Sequence, residues 1–380
     1  MRRPRYAASA AALAAGLALA AGACGGSDEP AEPAPTPTAA QSTPAPSTDT
    51  PTSAAPSGGT ADDPAVLEPT TDLLDWQPVD GPVGQVVSRA GAWTLTITGN
   101  GRGYSLDGPS SSSGEASSAG SGERVSEGLI DGDWAVVVRQ DRAEQRPSTA
   151  EVTDLSSGKT FRIDGHSDVP TTTGGDWALG EGRLLHATTG PGGAYCVASV
   201  DLATRTSTLG WCAPARHGFS DPRITPAGTT LLTFDDSRPA CRTLVALDGE
   251  HATPLPDVER CAGWDALLTD DGAVWSVVPN EHRAESVHLY ARSGESYVDL
   301  GPGTASTLTW CAGAAYFVRD PQRDGEPAAL MRWTAADGLA VVYESPAGEA
   351  FLSEPRCGGD ALTITAMAEA GDEQVTADLS

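Results

Sequence analysis

The chain has 380 residues but only one lysine, Lys159, so arginine supplies nearly all of its positive charge. Formal net charge is -27 at pH 7. Nucleic-acid binders and proteins that lie on anionic headgroups need clustered Lys and Arg, and a surface this acidic excludes them as classes. The bias toward arginine and alanine carries no function of its own. Ala7 to Ala21 is apolar, but its 15 residues fall short of the roughly 20 that a spanning helix needs. No G-x-S-x-G occurs: Ser105 in "GYSLDG" and Ser220 in "GFSDP" both miss it, which excludes a nucleophile elbow. Tight C-x-x-C pairs are absent, and no two of the six histidines stand at metal-ligand spacing. No metal and no cofactor are expected.

What is present begins with an export signal. Arg2, Arg3 and Arg5 precede the apolar run, and small residues lead to Cys24. "AGAC", Ala21 to Cys24, resembles the bacterial lipobox, with Ala21 in place of the usual Leu. That resemblance implies that residues 1–23 are removed, that Cys24 is diacylated, and that it becomes the new N-terminus. Two acyl chains are enough for stable anchoring, whereas one holds only marginally. Residues 25–71 are Pro, Ala, Thr, Ser, Gly and acids, without Lys, Arg or aromatics, and read as a disordered linker. As a flexible coil the linker would average about 35–40 Å end to end. The expected location is the outer face of the cytoplasmic membrane, held through the lipid alone.

The remaining residues, 72–380, repeat. Short runs rich in Val, Leu, Thr and Trp follow Gly91, Gly132, Gly182, Gly228, Gly272, Gly313 and Gly359, at steps of 41, 50, 46, 44, 41 and 46. A second set of turns, near Gly158, Arg205, Gly249, Gly294 and Gly338, runs out of phase at steps of 47, 44, 45 and 44. Two hairpin turns in about 45 residues mean about four antiparallel strands per unit, the arithmetic of a β-propeller blade. Seven leading glycines predict seven blades; six is the alternative, with the serine-rich first unit as an irregular excursion. The last unit lacks an outer strand before the chain stops. "DLLDWQPVD", residues 72–80, is therefore expected to pair into the C-terminal blade and close the ring.

"ITPAGTTLLTF" (Ile224 to Phe234) and "VTDLSSGKTFRI" resemble the hairpins of TolB-type and WD40-like bacterial propellers. The resemblance covers about residues 80–380. It implies an all-β fold and is nearly silent about activity.

Six cysteines in an exported chain read as three disulfides, with fifteen possible connectivities. Cys196 and Cys212 are equidistant from residue 204, the centre of a hairpin turn, which places them opposite each other. Cys241 and Cys261 flank the next such turn. Cys311 and Cys357 each stand two residues before a leading glycine, in neighbouring blades. The expected pairs are Cys196–Cys212, Cys241–Cys261 and Cys311–Cys357.

No catalytic residue is assigned. Asp235–Asp236 and Asp270–Asp271 are acid pairs at turns, where aspartate is ordinary, and "DPQRDGE" lacks the alternating acids of a tight Ca²⁺ loop. His186 and His288 fall within strands and read as packed residues; the other four histidines read as loop residues. Trp93, Trp134 and Trp275 stand two, two and three residues after leading glycines and read as core between blades.

The leading expectation is a monomeric, non-catalytic platform for an envelope protein or glycan. Its binding face is the rim shared by the loops that precede the inner strands and those that join the middle pair. The alternative is an extracellular glycan hydrolase or lyase, and a quinone or metal-cofactor propeller ranks last. Buried carboxylates converging in a deep axial pocket would favour catalysis; a shallow rim would favour binding.

Overall fold

The computed structural model describes residues 63–80, 83, 85–109, 117–346, 350–368 and 371–379. Its strands form seven sheets, each read from the axis outward. Blade 1 comprises Val86–Ala90, Trp93–Thr98, Gly103–Asp107 and Ser117–Ser118, and blade 2 comprises Glu123–Asp131, Trp134–Asp141, Thr149–Asp154 and Thr160–Ile163. Blade 3 follows with Ala178–Gly180, Arg183–Thr189, Tyr195–Asp201 and Thr206–Cys212. Blade 4 has His217–Thr225, Gly228–Asp235, Arg242–Asp248 and His251–Pro254, and blade 5 has Gly263–Thr269, Gly272–Val277, Ser286–Ser293 and Ser296–Thr304. Blade 6 runs through Thr309–Cys311, Ala314–Arg319, Ala329–Thr334 and Gly338–Glu344. In blade 7 the inner strand is split into Ala350–Leu352 and Arg356–Cys357; both pair with Ala361–Ala368, which is followed by Glu373–Asp378. The fold is a seven-bladed β-propeller. The serine-rich unit is a true blade, although residues 110–116 lie outside the described residues.

Second strands such as Trp134–Asp141 and Ala314–Arg319 read as near-continuous apolar runs because a neighbouring sheet covers each of their faces, whereas Trp93–Thr98 of blade 1 alternates with threonine. Ala135 to Val138 of blade 2 are buried without alternation. Six buried apolar clusters each join residues of two successive blades, from 1–2 through 6–7. Trp275, 1% exposed, belongs to the cluster between blades 4 and 5, whereas Trp93 and Trp134 pack half-buried against their own clusters. The seam between blades 7 and 1 is held by close backbone approach. A Cβ on Gly358 would lie 1.7 Å from the Arg89 carbonyl oxygen, and Gln374 Nε2 donates to the Gln85 carbonyl at 2.9 Å.

Closure uses more chain than the sequence indicates. Gln77–Pro78 pairs antiparallel with Glu373–Asp378 as the outer strand of blade 7. Its neighbour Thr70–Thr71 instead pairs parallel with the outer strand of blade 6, where Asp72 and Leu74 also donate to Val341 and Val342. Ala65–Val66 pairs parallel with the outer strand of blade 5. Residues 65–71, expected to be the end of a disordered linker, therefore form two edge strands, and the 72–80 stretch is divided between two blades. The pairing is made by backbone bonds to open sheet edges, and Leu67 adds an apolar contact with the cluster between blades 5 and 6.

Candidate functional site

Cys24 and the whole signal region lie outside the described residues. Cys196 and Cys212 are register partners across the outer hairpin of blade 3 and are joined there. Cys241 bonds to Cys261, tying the loop between the middle strands of blade 4 to the approach to blade 5. Cys311 and Cys357 end the inner strands of blades 6 and 7 and bridge the two blades.

The acid pairs do not form a site. Asp235 accepts from Ser237 and from the Cys241 amide, which hold its carboxyl below the usual range, and Asp236 pairs with Arg216 at the surface. Asp271 accepts from Ser293 at 2.9 Å within its turn. His186 is buried, stacked on Trp177 at 5.0 Å, and burial lowers its basicity. His288 lies 2.6 Å from Asp299. His217 and His251, read from sequence as loop residues, begin strands of blade 4 and are exposed. Among the described residues no group of three His, Cys, Asp or Glu is arranged to hold a metal ion.

The arrangement that does converge lies on the axis. A cavity of about 590 Å³ is walled by the first halves of inner strands and by Phe234, Ala240 and Arg242, which flank the loop joining the middle strands of blade 4. A second cavity of about 350 Å³ is lined by the turns that end the inner strands, including Asp131, Glu181, Pro226 and Gly313. Arg223, Glu354 and Arg356 line both cavities and form the partition between them.

Irregular backbone aims the polar groups. Ladder register slips between Val125 and Glu127 in blade 2, between Ser220 and Arg223 in blade 4, and between Gly263 and Ala266 in blade 5. In blade 7 the inner strand breaks between Leu352 and Arg356. Bulges and breaks turn side chains out of the strict two-residue alternation. They carry Glu127, Asp221, Asp265 and Glu354, while Asp176 precedes the short inner strand of blade 3.

Arg223 is the hub. Its guanidinium meets Asp221 Oδ1 at 2.8 Å and Glu354 Oε1 at 3.2 Å, with side-chain exposures of 22%, 26% and 37% respectively. Arg356 reaches Glu354 more loosely, at 3.9 Å. Burial alone would lower the basicity of Arg223, but Asp221, Glu354 and Asp265 outweigh it, so its cation is stabilised. The Asp221 amide donates to Asp176 Oδ2 at 2.9 Å. Asp265, 1% exposed, accepts from the Ser306 amide at 3.2 Å through Oδ2, and its Oδ1 has no hydrogen-bond partner among the described residues. Burial first, and Asp221 second, push its carboxyl well above the usual range. Trp264 donates through Nε1 to Ser306 Oγ at 3.0 Å, and the Arg242 guanidinium stacks on its ring, 5.1 Å from the centroid.

Glu127 differs from the other acids. Among the described residues its carboxylate has neither a hydrogen bond nor an ion pair. Burial raises it to about 7; Arg356 and Arg223 oppose that shift, while Glu354 and Asp176 add to it. Near neutral pH the cavity thus holds a carboxyl balanced between its two forms, beside Asp221 and Glu354, which both engage Arg223.

Sequence reading missed these residues, although a signal exists. Glu127, Asp176, Asp221, Asp265 and Glu354 stand five, six, seven, seven and five residues before Gly132, Gly182, Gly228, Gly272 and Gly359. An acid thus recurs five to seven residues before the leading glycine of five repeats, separated in sequence and gathered by the ring.

No protein-family model matches the sequence, and neither does any curated protein. Solved structures do. The chain is similar to the β-propeller domain of the Trilobed protease from Pyrococcus furiosus, described as having an open velcro topology, at 11% identity and a TM-score of 0.53. That match covers 77% of this chain and 94% of the other. It is also similar to a prolyl endopeptidase, at 13% identity and a TM-score of 0.51, covering 76% of this chain and 45% of the other. At these identities the likeness shows the propeller fold alone.

Proposed function

We propose that the protein is a lipoprotein, acylated at Cys24 and held at the outer face of the cytoplasmic membrane, whose TolB-like propeller binds an envelope glycan in its axial cavity. The carrying observation is the cavity itself. It lies on the rim where loops precede the inner strands, and it combines the partly exposed rings of Trp264 and Phe234 with inward carboxylates and guanidinium groups. Aromatic faces pack against the C–H faces of sugar rings, while acids and arginines satisfy hydroxyl groups in both directions. Binding is preferred to turnover because Arg223 engages Asp221 and Glu354, which leaves neither free as a base. Calorimetry with fragments of purified envelope polysaccharide tests the reading. Trp264→Ala should weaken binding at least tenfold, and Cys24→Ala should release the protein from membranes and stop lipid labelling. Failure of every envelope glycan to bind, or unchanged membrane retention of Cys24→Ala, would overturn the corresponding half.

One observation favours a second reading, a glycan hydrolase or lyase. The buried acids converge in a deep pocket, and Glu127 can remain protonated near neutral pH, as a proton donor to a leaving oxygen must. Release of reducing ends or unsaturated products by the parent, abolished in Glu127→Gln, would select it.

A further inference from the structure

We infer that the ligand presents a protonated amine to Glu127, so that the glycan bound in the axial cavity is one with free rather than acylated amino groups. This inference rests on the glycan reading above and names the chemistry of its ligand.

Partnering within the cavity carries the argument. Asp221 and Glu354 share Arg223, Asp176 accepts from the Asp221 amide, and Asp265 accepts from the Ser306 amide. Glu127 alone of the five reaches the cavity wall with no hydrogen bond or ion pair among the described residues. A half-buried carboxylate left without a donor is costly, and Glu127 stands directly after the bulge in blade 2, which turns it toward the cavity. Charge count points the same way: four acids (Glu127, Asp176, Asp221 and Glu354) line the cavity with three arginines (Arg223, Arg242 and Arg356), so an incoming cation offsets Glu127 where an anion would not. An N-acetyl group offers an N–H but no charge, and its added bulk would bring an apolar methyl against the carboxylate. The groups facing Glu127 are Arg356, Arg223, Glu354 and Asp176. Of these, Arg356 is the cation that competes with the ligand's amine.

Two probes decide the matter: the glucosamine dimer and its N,N′-diacetyl counterpart, titrated into the full-length protein at neutral pH and low salt. The expected result is about tenfold tighter binding of the free amine, the scale of one charge-assisted hydrogen bond in a sheltered site. Glu127→Gln, an isosteric change that relieves burial of charge, should erase the preference. Arg356→Gln, which removes the competing cation, should strengthen amine binding several-fold. Because that change acts in the opposite direction, a general loss of folding cannot mimic it. Equal binding of the two probes, or a preference that survives Glu127→Gln, overturns the inference and leaves the glycan reading standing. If neither probe binds while other envelope glycans do, the amine assignment falls; if no glycan binds, both readings fall.

Discussion

The two mouths of the axial channel are made from opposite ends of the same inner strands, yet they are built on different principles. Where those strands end, the chain turns at once into the second strand. The mouth there is a ring of tight turns, including Gly132, Gly313 and Gly359, braced by the Cys311–Cys357 bond. Where the strands begin, the ladders slip or break in blades 2, 4, 5 and 7, and acids, arginines and aromatic rings crowd the wall. Regular hydrogen bonding at one end supports irregularity at the other. The difference teaches that one repeat can give one of its ends to stability and the other to recognition.

Substitutions at the turn mouth should therefore harm folding without touching recognition. The largest effect is expected for Gly358→Ala, whose new Cβ would stand 1.7 Å from the Arg89 carbonyl oxygen at the seam between blades 7 and 1. Both atoms belong to backbone that cannot move aside, so a loss of about 3 kcal/mol should appear as a lowered melting temperature. Folded molecules of the variant should bind ligand as the parent does. A melting curve identical to that of the parent would contradict the closed seam.

Arg223→Leu acts at the partition and should cost about 2 kcal/mol, because Asp221 and Glu354 lose the cation they share. Partial exposure of all three groups keeps the cost below that of a fully buried triad. Denaturant unfolding would measure it, and an unchanged midpoint would mean the triad holds nothing together.

The smallest effect sharpens the chemistry of the strand-start mouth. Burial raises the Glu127 carboxyl from 4.5 to about 7 in the folded chain. A raised carboxyl favours folding below its unfolded value, and that contribution disappears as pH rises through the folded value. The stability of the parent relative to Glu127→Gln should therefore fall between about pH 4.5 and pH 7, by about 1 kcal/mol in total, because the partly exposed carboxyl is screened by solvent. Parallel pH profiles of the two melting temperatures would place the carboxylate in contact with solvent instead.

Much of this fold is legible in the sequence because propeller blades are local. Each hairpin pairs near neighbours, so leading glycines and out-of-phase turns mark blades wherever strands meet. Cys196 and Cys212 are opposite each other because both lie in one hairpin, although the ladder between them and the turn slips by one residue beside Cys196. Other features depend on pairing across hundreds of residues. Nothing in "AV" at 65–66 or "TT" at 70–71 announces that blades 5 and 6 offer open edges, since the bonds formed there are insensitive to side chain. The site was obscured in another way. Asp235–Asp236 and Asp270–Asp271 are adjacent in sequence but form no site, whereas the functional grouping comprises single acids spaced by 49, 45, 44 and 89 residues that only the ring brings together. Bulges, which aim those acids, have no residue signature comparable to that of a glycine turn.

Hydrogen–deuterium exchange on the full-length protein, with and without a saturating envelope glycan fragment, tests the central claim most directly. Recognition at the strand-start mouth predicts slowed exchange at the amides around Glu127, Asp221 and Trp264, with the turns at Gly132, Gly313 and Gly359 unchanged. Protection confined to those turns, or to the outer edges of the blades, would contradict the account.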